Sequence, residues 1–181
     1  MLLPEGTREL EHADTLTRLA ALWEGGKAIF VFDPRGTGAL NCDRLNENRT
    51  NSISGRWFKY AYDTWMLGDN LACMWAYDIV QAIEYLCSRP DVDSNNLKIN
   101  SEGELSFAGL LAAVANENVN KFHSSTLPNS YLDLLQSGQY DRRILNEWSI
   151  VAGILAHYDL PALRRAAFYS VDKQVLDKGN L

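Results

Sequence analysis

Cysteine and histidine are scarce in this chain, with three of each among 181 residues. The cysteines (Cys42, Cys73 and Cys87) are odd in number, and none belongs to a C-x-x-C pair. That excludes a disulfide framework and a zinc ribbon. Cys73 and Cys87 fall in an apolar helical stretch, so buried free thiols in a reducing, cytoplasmic compartment are expected. His12, His123 and His157 are too scattered for metal-ligand spacing. No metal or other cofactor is expected.

Basic clusters are missing as well. With a net charge of -6, binding to nucleic acid or to an anionic membrane through bulk charge is not expected. No apolar run is long enough to span a bilayer, and Met1 to Arg8 lacks the apolar core of a signal peptide. The first apolar run is not followed by G-x-G-x-x-G, which counts against a nucleotide-binding module. There is no internal repeat and no low-complexity tract.

What is present suits one domain over residues 1–181. An apolar fraction of 46% against 22% charged residues gives a core that needs no disulfide or metal. Leu10, Leu16, Leu19, Ala20 and Trp23 recur at helical spacing. Ala28 to Phe32 is a continuous apolar run of the kind found in strands buried on both faces. It ends in Asp33-Pro34-Arg35-Gly36-Thr37-Gly38, a stiff turn. Helices are predicted over Trp57–Leu67, from Asp69 or Asn70 towards Pro90, over Tyr131–Leu135 and over Ile144–Ala156. Asp159 is placed to cap a short helix with Pro161 in its first turn. Val119–Ser124 and Ala167–Val171 read as strands.

The stretch on which the rest turns is Leu97–Leu105, a short strand running into the apolar helix Ser106–Ala115. Many α/β enzymes place a nucleophile at such a turn. The alternation of helices and strands predicts an α/β protein: a mainly parallel sheet between two helical layers, a three-layer sandwich.

Several segments together resemble the α/β-hydrolases. Phe30-Val31-Phe32-Asp33-Pro34-Arg35-Gly36-Thr37-Gly38 is similar to their strand and D-x-R-G-x-G loop. Met66-Leu67-Gly68, then Tyr77 to Leu86, then Ser88-Arg89-Pro90-Asp91-Val92-Asp93 resemble the stretch before the nucleophile in the acetyl xylan esterase-like and dienelactone hydrolase-like branch. His157-Tyr158-Asp159-Leu160-Pro161 resembles the region before its last strands. In this register the family's G-x-S-x-G falls on Ser101-Glu102-Gly103-Glu104-Leu105, so the nucleophile position is Gly103, which carries no side chain. The family's acid falls on Asp172, and no histidine follows His157. The family's three leading strands have no counterpart, so the resemblance implies a partial hydrolase fold. Its sheet would have a gap between the strands ending at Asp33 and Ser101, which either pair directly or receive a strand from another chain.

The favoured function is therefore a non-catalytic or incomplete α/β-hydrolase-like protein, acting by binding or self-association, with a homo-oligomer or companion chain completing the sheet. The alternative is an esterase-type hydrolase of acyl esters. In that case Ser101 or Ser106 attacks, His123 or His157 is the base and Asp172 orients it, or a partner supplies the missing residues. Asp33, Arg35, Gly36, Gly103 and Glu104 are the candidates for a ligand pocket or loop, with Asp33 and Arg35 expected to hold the loop by pairing with each other. Helically spaced aromatics from Trp57 to Trp65 suggest core or an interface, with a sugar or aromatic pocket as the alternative.

Overall fold

A computed structural model describes residues 1–3, 6–24, 27–40, 55–124, 126–138 and 150–167, leaving out the side chains of residues 24 and 55–58. It contains helices α1 (Ala13–Glu24), α2 (Gly55–Met66), α3 (Leu71–Ser88), α4 (Ser106–Ala115), α5 (Tyr131–Ser137) and α6 (residues 160–167), and strands β1 (Leu97–Ser101) and β2 (Val119–Ser124). Helices and a parallel sheet mix along the chain, as in the α/β class. None of the described helices is long and apolar enough to cross a membrane.

Helix α3 shows how sequence becomes element. Asn70 caps it, its side-chain oxygen accepting from the N–H of Ala72 at 2.9 Å and of Cys73 at 3.4 Å. That satisfies donors the first helical turn cannot pair internally. Ala72, Trp75, Ala76, Ile79 and Ile83 form the buried stripe. Cys73 lies beside that stripe and is exposed, which corrects the expectation of a buried thiol; Cys87 is partly buried. Helix α4 is apolar all round, and seven of its residues are buried. It packs against α3 and connects β1 to β2, which run parallel with Ile99 opposite Phe122 and Ser101 opposite Ser124.

The predicted gap beside β1 is not open. Leu2 forms a parallel bridge with Ser101: its N–H donates to Asn100 O at 2.8 Å and its carbonyl accepts from Glu102 N–H at 3.2 Å. On the other side, the Met1 amino group donates to the Phe30 carbonyl, and Phe32 N–H donates to Met1 O at 3.3 Å. These two bonds are the pattern of a parallel pairing between Met1 and Val31. The chain's own first residues thus lie between residues 30–32 and β1, and Leu3 beside them is fully buried.

Other expectations are revised. Residues 28–32 are not assigned as a strand, because their partner segment is too short to build a ladder. A 3-10 turn, Gly6–Glu11, precedes α1, so the predicted first helix is split. Residues 150–153 are not helical; Gly153, at φ +78°, turns the backbone left-handed before a 3-10 turn, Ile154–Ala156. Residues 144–149 lie outside the described residues. Ala167 belongs to α6 rather than to a strand, and residues 168–171 lie outside the described residues.

Asp159 precedes α6 as predicted and does more than cap it. Its carboxylate accepts from Leu160 N–H at 2.6 Å, Tyr131 N–H at 2.9 Å, Leu132 N–H at 3.3 Å and Ser130 Oγ at 2.5 Å. Ser130 in turn caps α5 through Asp133 N–H. One carboxylate therefore ties together two helix starts. Burial works to raise its pKa, and these hydrogen bonds outweigh that and hold the group below the usual carboxylate range.

Candidate functional site

The strand-to-helix turn is built around Gly103. β1 ends at Ser101, Glu102 is still extended, and Gly103 adopts φ +60° to open a single 3-10 turn into α4. Only glycine takes that backbone conformation without steric penalty. The turn therefore has the tight strand-to-helix form that the sequence suggested, and its apex carries no side chain. Glu104 is half-buried in the same turn. Glu102 reaches sideways, its carboxylate taking Arg18 Nη1 at 3.0 Å on each oxygen.

Two hydroxyls flank the apex. Ser106 Oγ lies 2.6 Å from Thr126 Oγ1 and 3.4 Å from the Ser101 carbonyl. Thr126 Oγ1 also reaches Gly103 O at 3.4 Å, so this cluster fastens the turn to the chain after β2. Ser101 is fully buried, and its hydroxyl has no hydrogen-bond partner among the described residues. It faces Gly109, where an added Cβ would lie 2.9 Å from both Ser101 Cβ and Oγ. Gly109 is thus the residue that lets α4 approach β1 closely. In the hydrolase pattern that duty falls to the glycines flanking the nucleophile, here Ser101 and Leu105.

No histidine joins either hydroxyl among the described residues. His123 sits in β2 opposite Asn100 and is exposed. His157 is exposed and lies 5.9 Å, ring to ring, from Tyr158. Asp172 lies outside the described residues. Cys73 offers no substitute nucleophile, since partial desolvation of its sulfur on α3 and the nearby Asp69 carboxylate raise the thiol's pKa, although the residue as a whole is exposed. Among the described residues no three His, Cys, Asp or Glu side chains converge as a metal site.

The Asp33–Gly38 loop is held firmly, though not by pairing between Asp33 and Arg35. The Asp33 carboxylate accepts from Thr7 N–H at 2.6 Å, Thr7 Oγ1 at 2.5 Å and Ala39 N–H at 3.0 Å. Arg35 instead forks onto Asp78 of α3, with Nε at 2.8 Å and Nη2 at 2.5 Å. Asp78 also accepts the Arg35 backbone N–H at 2.9 Å. That hydrogen bonding to Asp78 raises the guanidinium's pKa further. Trp75, one turn earlier on α3, donates its indole N–H to Arg35 O at 2.9 Å. Gly36 turns the loop at φ +72°. Beside the loop lies an open groove of about 670 Å³, walled by Phe30, Phe32 and Tyr85 and edged by Arg35 and Asp78.

The sequence missed Thr7, Asp78, Gly109 and Thr126 as partners of the named residues. For Asp78 a signal existed: Trp75 and Asp78 stand three apart on a helix and so share a face. Comparison of the chain with protein-family models, curated proteins and solved structures finds no match.

Proposed function

We propose that this chain is a non-catalytic or incomplete α/β-hydrolase-like domain, a partial three-layer sandwich that works by binding or self-association. The observation that carries the reading is Gly103 at the apex of the strand-to-helix turn, at φ +60°, where a hydrolase would present its nucleophile. The two nearest hydroxyls support it: Ser101 Oγ is buried without a partner, and Ser106 Oγ is committed to Thr126 and a carbonyl. A serine without a general base at hydrogen-bond reach is a weak nucleophile. Large apolar side chains left open to solvent support association, among them Trp23 at 69% and Met66 at 86% exposure.

The test is ester turnover. With p-nitrophenyl acetate the purified chain is expected to give no hydrolysis above a heat-denatured control at any pH from 6 to 9. Saturable turnover that disappears in Ser106→Ala would replace this reading with the esterase alternative.

A further inference from the structure

Helix α1 is scarcely covered by the rest of the described chain. Among residues 13–23, Thr15 is buried and Leu19 and Leu22 are half-buried, while Leu16 and Trp23 stay open. Helix α4, two residues shorter, buries seven of its residues. What α1 packs against is chiefly the 3-10 turn just before it in sequence. A helix of twelve residues is marginal in water by itself, because helices in proteins draw most of their stability from packing. Among the described residues, one side-chain contact joins α1 to a distant part of the chain. Arg18 reaches Glu102, its single nitrogen Nη1 lying 3.0 Å from each carboxylate oxygen. Both side chains are partly exposed, so salt screens the pair. Contact through one nitrogen acts as a point charge, unlike the two-nitrogen fork of Arg35 on Asp78.

The chain on either side of α1 is held more firmly. Before it, Thr7 gives its N–H and its hydroxyl to the Asp33 carboxylate. After it, Phe30 and Phe32 are bonded to Met1. Glu102 stands at the end of β1, directly before Gly103, and open α/β sheets take ligands at the carboxyl ends of their strands.

We propose that α1 is a flap tethered at both ends beside the carboxyl end of β1. It is docked and helical while Arg18 pairs with Glu102, and it undocks and melts when that pair is broken. Both tethers stay in place as it opens, so α3, α4 and β1 keep their packing. Undocking releases the Glu102 carboxylate beside the Gly103 turn, whether or not that turn does chemistry. An exposed ion pair moves an equilibrium by about two- to fivefold. A change of that size governs α1 because little else holds it, and lids are drawn from such low-stability segments.

Native-state hydrogen exchange on the full chain, read separately for α1, α3 and α4, tests this. At about 0.02 M salt the α1 amides are expected to be protected, yet to exchange faster than those of α3 and α4. Raising the salt to about 1 M shrinks the screening length to about 3 Å. Exchange in α1 is then expected to rise about two- to fivefold, with α3 and α4 unchanged. Glu102→Gln at low salt is expected to give the same rise and to abolish the salt response. It leaves the sequence of α1 intact, so altered helix propensity does not account for the change. Arg18→Lys keeps the point charge and is expected to keep the low-salt protection. Protection of α3 and α4 in the same runs reports that each variant is folded. Four results overturn the proposal: α1 exchanging as slowly as α3 and α4, no response to Glu102→Gln, a salt response that survives Glu102→Gln, or α1, α3 and α4 speeding up together.

Discussion

Asp78 holds Arg35 at both ends: one carboxylate accepts the guanidinium fork and the backbone N–H of the same residue. The two halves of that contact differ in environment. The Arg35 side chain is about half exposed, and the Asp78 side chain is largely covered. Arg35→Ala keeps the backbone bond and loses a solvent-screened pair, so it is expected to cost less than about 1 kcal/mol. Asp78→Ala removes both contacts and leaves a loop N–H unpaired, with an expected cost of about 1–3 kcal/mol. Urea denaturation of the two variants checks the order; equal costs would mean the guanidinium fork carries the contact.

Gly109 and Ser101 predict an asymmetric pair of substitutions. Gly109→Ala pushes a methyl into Ser101 and the Phe122 ring, and it is expected to destabilise by about 1–3 kcal/mol. Ser101→Ala removes a buried hydroxyl that has no partner, and it is expected to be neutral or stabilising by up to about 1 kcal/mol. Thermal melts of the two single variants and the double variant measure the coupling. A stabilising Gly109→Ala would contradict the close approach of α4 to β1.

Gly103→Ser puts a hydroxyl where the hydrolase pattern has one. Its positive φ makes any side chain there cost about 1–2 kcal/mol. With no histidine at the turn among the described residues, the variant is expected to be less stable and still without ester turnover. Turnover gained by this single change would show that a general base is already in place.

The Asp159 carboxylate predicts an acid-sensitive joint between α5 and α6. Its folded pKa is depressed below the unfolded value of about 3.9. The folded state therefore binds the proton less readily than the unfolded state. The stabilisation is full above the unfolded pKa and is lost as pH falls through the folded one. Asp159→Asn is expected to flatten that part of the stability-against-pH curve and to cost about 2 kcal/mol at neutral pH. An unchanged slope below pH 4 would assign the acid sensitivity to other carboxylates.

Elements with strong periodicity and a local cap were legible in the sequence. The stripe of α3 with Asn70 before it, the bounds of β2 and the place of Asp159 all follow from short-range rules. Contacts between distant segments were not legible. Nothing local marks Thr7 as the partner of Asp33, or Thr126 as the partner of Ser106, because each hydrogen bond forms only after the loops converge. The apolar residues of α1 recur at helical spacing, yet Leu16 and Trp23 are exposed, since a periodic pattern does not say whether anything covers it. The Gly103 turn was placed correctly by composition. The glycine that permits close packing lies six residues further on, inside an apolar helix where no local pattern marks it.

The parallel bridge of Leu2 to Ser101 also fixes an order of assembly. Its two residues are about a hundred positions apart, whereas β1, α4 and β2 are consecutive. Closing the larger loop costs more entropy than closing the short crossover, and the contact is made only once β1 exists to receive it. The N-terminal residues are therefore expected to dock last, as a latch on a sheet already formed. Pulse-labelled hydrogen exchange during refolding should find the Ile99 amide protected before that of Leu2, and the reverse order would mean the latch leads.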